Sequence, residues 1–170
     1  MPVDASQLVI VQYPDPVLRC KAKPIASVTD EVRAVATKMI ELMHEARGVG
    51  LAAPQVGLSW RMFVANVTGE PGEDQVFINP VLREPGRASE PHDEGCLSIP
   101  NVTAEVTRPT SITIDAINEQ GEPFTLTAAG LPARVWQHET DHLNGVLILD
   151  RMTPADRMAN KRAIRELERA

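Results

Sequence analysis

The chain has 170 residues, 43% of them hydrophobic and 24% charged, and a net charge of -6. That length suits one domain over residues 1–170 with a sizeable core, and the ordinary apolar and charged content excludes a disordered chain. The acidic balance gives no broad basic field, which argues against nucleic-acid readout or an anionic membrane as the main partner. Met1-Pro2-Val3-Asp4-Ala5 shows neither a basic n-region nor an apolar h-region, and no apolar run approaches a membrane span, so the expected location is the cytoplasm. Cys20 and Cys96 make a thin disulfide framework for a secreted domain of this size. Reduced thiols are expected, which leaves Cys96 available as a ligand.

In chain order, Leu8-Val9-Ile10-Val11 predicts a short strand that ends at the turn Tyr13-Pro14-Asp15-Pro16. Over residues 30–47 the apolar positions Val32, Val35, Ala36, Met39, Leu42, Met43 and Ala46 recur at helical spacing, with Thr29 or Asp30 as cap and Gly48 as stop. His44 on this helix reads as solvated rather than as a ligand. Residues 48–57 are rich in Gly, Ala and Pro. They read either as a loop pressed against something, with Gln55 as its polar end, or as a helix cap followed by an ordinary turn. Residues 61–67 and 75–79 predict paired strands around the turn Gly69-Glu70-Pro71-Gly72, and residues 84–93 an exposed loop. From 102 to 127 the alternation continues as antiparallel sheet, with Ile112, Ile114 and Ala116 on one face and a hairpin turn at 118–121. A helix is predicted from about Ala128 to Asn144-Gly145, with Leu131, Val135, His138 and His142 on the face it buries. Residues 146–149 read as a last short strand and 154–170 as a charged C-terminal helix with a weak apolar stripe. The fold class is α+β: antiparallel sheets packed around a central helix, with an N-terminal and a C-terminal helix beside them.

That central helix carries His138-Glu139-Thr140-Asp141-His142. Residues four apart lie about one turn, roughly 6 Å, apart on one side of a helix, so both imidazoles can converge on one metal ion while the carboxylate between them works on water. The alternative is a polar helix with two unrelated histidines. A catalytic ion normally takes three protein ligands and leaves one position open. Downstream of His142 only the acids Asp150, Asp156, Glu166 and Glu168 offer a third; upstream stands Cys96, whose thiolate would give an S-N-N set.

Three stretches, Gly48-Val49-Gly50-Leu51-Ala52-Ala53-Pro54-Gln55, Glu94-Gly95-Cys96-Leu97-Ser98 and Gln137-His138-Glu139-Thr140-Asp141-His142-Leu143-Asn144-Gly145, resemble the three signature motifs of the peptide deformylases, in the same order. Pro14-Asp15-Pro16-Val17-Leu18, Asn79-Pro80 and Arg108-Pro109 also look like sequence of that family, and the resemblance runs from about residue 8 to 152. It implies an enzyme that hydrolyses the N-formyl group from the initiator methionine of newly made polypeptides and releases formate. It further implies that Cys96, His138 and His142 hold one divalent ion, Fe2+ in the cell with Zn2+, Ni2+ or Co2+ as substitutes. Glu139 would be the acid/base, and Gln55 with the Leu97 N–H would bind the oxyanion. The implied partners are N-formylmethionyl nascent peptides and, through the C-terminal helix of some members, the ribosome. Methionine selectivity would need an apolar pocket, for which Gly50, Val49, Ile99, Val135 and Trp136 are candidates, although Trp136 can equally pack in the core. Glu94 and Arg108 are candidates for an ion pair that fixes the Cys96 strand, and Asp141 for a group that faces away and orients a neighbour. A zinc endopeptidase built on the same helix, or a closed non-catalytic metal site, are the competing readings.

Overall fold

Alternation along two short strands decides how the layers stack. The computed structural model describes residues 2–170. In chain order it runs α1 (Asp30–Glu45), β1 (Gly50–Ala52), β2 (Met62–Ala65), β3 (Gln75–Arg83), β4 (Ser89–Cys96), β5 (Ile99–Pro109), β6 (Ser111–Ile117), β7 (Pro123–Ala129), α2 (Leu131–Leu143), α3 (Ile148–Arg151), α4 (Pro154–Ala159) and α5 (Lys161–Arg169). One antiparallel sheet has the order β1-β2-β3-β6-β7, and β4 pairs with β5 in a second. Successive side chains on a strand point to opposite faces. Met62, Val64, Val76 and Ile78 therefore pack with Val32, Val35, Ala36, Met39 and Met43 of α1. Phe63, Ala65, Phe77, Ile112, Ile114 and Ala116 take the other face, with Ala133, Val135, Trp136 and Leu143 of α2. A third apolar cluster joins Ile99, Val102, Ala104 and Val106 of β5 to Leu147, Ile148, Leu149 and Ile164. At roughly 1.5–3 kcal/mol for each large apolar side chain buried, the second of these clusters holds α2 on the five-stranded sheet, and the third holds the β4–β5 hairpin to the C-terminal helices.

Both long helices are closed by named groups. The Thr29 hydroxyl accepts from the Val32 N–H at 3.3 Å and caps α1. At the far end of α2, Arg61 donates to the Leu143 carbonyl at 2.9 Å and to Asn144 Oδ1 at 3.0 Å, a cation where the helix carbonyls are unpaired. Gly145 leaves the helix with φ 73°, and a Cβ there would come within 2.5 Å of the Arg19 carbonyl oxygen. Glycine is required on both counts.

Several expectations are corrected. Residues 8–11 are not a strand: Val11 N–H donates to the Gln55 carbonyl and Tyr13 N–H to that of Ser98, but no strand runs alongside, while Leu8 and Ile10 pack against the α1 cluster. The stretch 84–93 is only partly a loop, since Ser89 onward pairs with β5, from Ser89 opposite Pro109 to Glu94 opposite Ala104. Its side chains are exposed up to Asp93, so the ladder needs no apolar face there. β3 continues to Arg83 past a register shift at 79–80, where the Asn79 amide bonds both backbone groups of Ile25. The motif helix starts at Leu131 instead of about 128, because β7 runs to Ala129 opposite Ser111. Leu131 itself is 51% exposed, so the buried face of α2 begins with Ala133 and Val135 instead. Residues 146–149 are not a strand: the Asp150 carboxylate accepts from the Leu147 N–H at 2.9 Å, and Ile148 opens the helical turn α3. The C-terminal helix is two, because Asn160 turns its amide onto the carbonyls of Asp156 and Thr103 and breaks the run.

Candidate metal centre

Three elements meet where α2 passes between the sheets. Cys96 ends β4, the two-residue turn Leu97-Ser98 leads into β5, and His138 and His142 stand one turn apart on α2. One ligand atom from each of Cys96, His138 and His142 lies within 4.8 Å of the others. Cys96 Sγ is 3.4 Å from His142 Nε2, and the two imidazole centroids are 5.1 Å apart. Glu139 is buried beside them, its Oε2 3.9 Å from His138 Nε2, and among the described residues its Oε1 has no hydrogen-bond partner. The bare backbone of β1 lies against this carboxylate: a Cβ on Gly50 would fall 2.7 Å from Glu139 Oε2. This settles the reading of residues 48–57. They form a short strand and a 3-10 turn, Ala53–Val56, pressed onto the motif helix.

Gln55 is oriented by its neighbours. Its Oε1 accepts from the Ala52 N–H at 3.0 Å, which turns Nε2 toward Ser98 Oγ at 3.2 Å and Cys96 Sγ at 3.4 Å. A cavity of about 460 Å³ opens in front, lined by Val49, Gly50, Gln55, Cys96, Leu97, Ile99, Val135, His138 and Glu139. Trp136 is not among its walls. That ring sits in the core, 5.9 Å from Phe77 between centroids.

Behind the histidines lies a chain of charges. Arg108 donates to both oxygens of Glu94, at 2.7 and 2.9 Å, and to Asp141 Oδ2 at 2.9 Å. Asp141 also accepts from Nε and Nη2 of Arg151, so it does face away from the cavity and hold neighbours. Glu94 Oε1 meets His138 Nδ1 at 2.9 Å, so Nε2, which lies 3.9 Å from Glu139 Oε2, is the nitrogen of that ring left for the cavity side. Burial opposes a charge on Glu94, but the Arg108 guanidinium and the His138 ring hold its carboxyl well below the usual carboxylate range. Burial pushes Glu139 up to about 7, against the pull of His138. It lowers His142 well below the ordinary imidazole value, helped by the charges on His138 and Arg108. Burial also works against a charge on His138, yet the Glu139 carboxylate, with Cys96 and Glu94, pushes that ring up to about 10. A thiolate with two imidazoles is a donor set for a transition ion rather than for Mg²⁺ or Ca²⁺. The residues fit a metal.

Two contributors carry no sequence expectation. Ser98, fully buried, receives the Gln55 amide; Arg134, on α2, reaches Glu94. His44, by contrast, lies far upstream of the motif and contacts Asp74 at 2.6 Å, exposed and outside the donor group.

The polypeptide deformylase family model matches residues 7–158. This chain belongs to the peptide deformylase family. It is 47% identical over 148 residues to peptide deformylase 1B, chloroplastic/mitochondrial, of Arabidopsis thaliana, covering 86% of this chain and 54% of that protein. It is 41% identical to the peptide deformylase of Acinetobacter baumannii, covering 95% of this chain and 92% of that protein. The chain thus spans about half the length of the Arabidopsis relative and nearly all of the bacterial one. A plant peptide deformylase PDF1B crystal structure superposes with a TM-score of 0.92 at 43% identity, over 96% of this chain and 90% of that one. A peptide deformylase structure from Legionella pneumophila gives 0.89 at 37% identity, over 95% of each chain. Peptide deformylases are metal-dependent enzymes whose reaction is the deformylation of nascent chains, and their α+β fold is the fold of this chain. No helix of the described residues is long and apolar enough to cross a membrane.

Proposed function

We propose that this chain hydrolyses the N-formyl group from the N-terminal formylmethionine of nascent polypeptides, with Cys96, His138 and His142 holding one divalent ion. The observation that carries the reading is the convergence of those three donors, within 4.8 Å, beside a buried carboxylate and an oriented amide. A bound divalent ion supplies Lewis acidity, which makes water a nucleophile near neutral pH and polarises an amide carbonyl. Glu139, buried and raised to about 7, accepts the proton of the attacking water through its unpartnered Oε1 and returns it to the departing amine. As charge develops on the formyl oxygen, the Gln55 amide N–H and the Leu97 backbone N–H stabilise it. Val49, Gly50, Ile99 and Val135 form the apolar wall against which a methionine side chain rests.

Fe2+ is the ion we assign, with Zn2+, Ni2+ or Co2+ as substitutes; geometry and availability select among such ions more than ligand type does. Metal analysis of anaerobically purified protein tests that assignment, and Zn2+ as the sole occupant would overturn it. The reaction itself is tested with metal-loaded protein on formyl-Met-Ala-Ser and on an unformylated peptide. Formate from the first and no cleavage of the second is expected; an endopeptidase would reverse the pattern, and a closed structural site would give neither.

Gln55→Ala is expected to lower kcat about 10²- to 10³-fold with metal content unchanged, the effect of losing one oxyanion donor. A kcat within threefold of the parent would remove the amide from the mechanism. For the C-terminal helices we propose ribosome docking through Lys161, Arg162, Arg165 and Arg169, which share one surface concavity. Charge reversal at Lys161 and Arg165 should abolish co-sedimentation with ribosomes without touching the buried Ile164. Undiminished co-sedimentation would refute docking.

A further inference from the structure

Arg134 stands one helical turn before His138 and points into the β4–β5 hairpin. Its side chain is only 14% exposed. Nη1 donates to Glu94 Oε2 at 2.6 Å and to the Val106 carbonyl at 2.9 Å, and Nη2 donates to the Glu90 carbonyl at 2.7 Å. It thereby ties α2 to both strands of the β4–β5 hairpin that delivers Cys96. An ionised carboxylate offers about four acceptor sites. In Glu94 all are used: Oε2 takes Arg108 Nε and Arg134 Nη1, and Oε1 takes Arg108 Nη2 and His138 Nδ1.

We propose that Arg134 is a positioning residue for the metal centre, acting through Glu94 on the His138 ring. The inference rests on the proposed Cys96, His138 and His142 ligand set. Arg108 approaches Glu94 from β5 and can rotate the carboxylate about its own bidentate axis. Arg134 comes from α2, the helix that also carries His138, and takes Oε2, the oxygen that Arg108 Nε already touches. The two guanidiniums together fix the carboxylate plane, and with it the direction in which Oε1 meets Nδ1. Because Arg134 and His138 are four residues apart on one helix, any shift of α2 moves the clamp and the ligand together. The ring then keeps its aim at the cavity while the hairpin and helix breathe. Arg134 also forms part of the wall between the metal-side cavity and a second one of about 440 Å³ lined by Glu90, His92, Pro109, Thr110 and Leu131. A substitution that keeps a stem of similar length and removes the head therefore changes the positioning contacts more than the volume of either cavity.

The test is Arg134→Met, which keeps a stem of similar length and removes the guanidinium, with Arg134→Lys as the partial replacement. Apparent dissociation constants are read with Co2+ alone, by its thiolate-to-metal absorption, in the full chain. Loss of a group that orients a ligand through its hydrogen-bond partner typically costs about 10- to 100-fold in metal affinity. Arg134→Met is expected to bind Co2+ that much more weakly, Arg134→Lys to recover part of the loss, and the KM for formyl-Met-Ala-Ser to change less than twofold. Glu94→Ala is the reference for complete loss of the contact to His138 and should be at least as weak. If the parent chain gives no thiolate absorption, the ligand set itself fails. If the parent binds and Arg134→Met binds as tightly or more tightly, the positioning role is overturned. A Met variant that loses affinity only in step with a lowered Tm, with Lys no better than Met, overturns it as well.

Discussion

Glu139→Gln is expected to release formate from formyl-Met-Ala-Ser about 10²- to 10⁴-fold more slowly than the parent chain, the range for loss of a positioned acid/base. The substitution isolates the proton. Gln has the size of Glu, so the contact against Gly50 is retained where a bulkier or shorter side chain would shift it. The amide can still receive a hydrogen bond but cannot take a proton from water and pass it to an amine. Burial raises the Glu139 carboxyl to about 7, so its charged form is disfavoured in the fold, and a neutral amide removes a buried charge rather than adding one. Tm should therefore not fall. Metal content should match the parent, because Cys96, His138 and His142 are untouched. Glu139→Asp keeps the acid but withdraws it by one methylene, and should fall between the two. Formate release from Glu139→Gln within tenfold of the parent, at equal metal content, would hand the proton transfer to another group.

The parts of this site that the sequence made legible are those where local geometry leaves little choice. His138 and His142 four apart on a helix must share a face, and Glu139 next to them must lie about 100° round. The apolar runs at 61–67 and 75–79 are likewise legible as paired strands, as the β2–β3 ladder bears out, whereas only the assembled fold shows Phe63 and Phe77 facing α2 and Met62 and Val64 facing α1. Misreadings fall where one polar contact outweighs propensity. Asp150 closing on the Leu147 N–H converts an apolar Val-Leu-Ile-Leu run into a helical turn, and Asn160 closing on two carbonyls splits the C-terminal helix. The exposed ladder of Ser89–Asp93 carries no apolar signature because none of those side chains is buried. Ser98 and Arg134 were silent for a further reason: each acts on a partner from another element, and only the assembled fold shows that the Gln55 amide and the Glu94 carboxylate come to them. The spacing of Arg134 to His138 was a usable signal, but it gains meaning only once Glu94 is seen to lie between their head groups.

Phe77→Ala should cost about 3–5 kcal/mol of stability, the range for removing a large aromatic from a packed core. Phe77 is fully buried. Its ring stacks on Phe63 at 4.6 Å between centroids and meets Phe124 at 5.5 Å and Trp136 at 5.9 Å, so its removal leaves a void that three rings bound and none can fill without leaving its rotamer. At roughly 2–4 °C per kcal/mol for a chain of this size, Tm should drop by about 6–20 °C in thermal unfolding followed by circular dichroism. Phe77→Leu, which refills most of the space, should lose less than half as much. The void opens on the face of α2 that carries Trp136, whereas His138 is held on another face by Glu94, Arg108 and Arg134. Stability and metal affinity are thus supported by different contacts of one helix. Below its Tm, the Phe77→Ala chain should bind Co2+ within about threefold of the parent, well short of the 10- to 100-fold loss that removing an orienting partner brings. A loss of affinity in Phe77→Ala as large as in Arg134→Met would mean that the apolar face, rather than the charged network, sets the aim of the histidines.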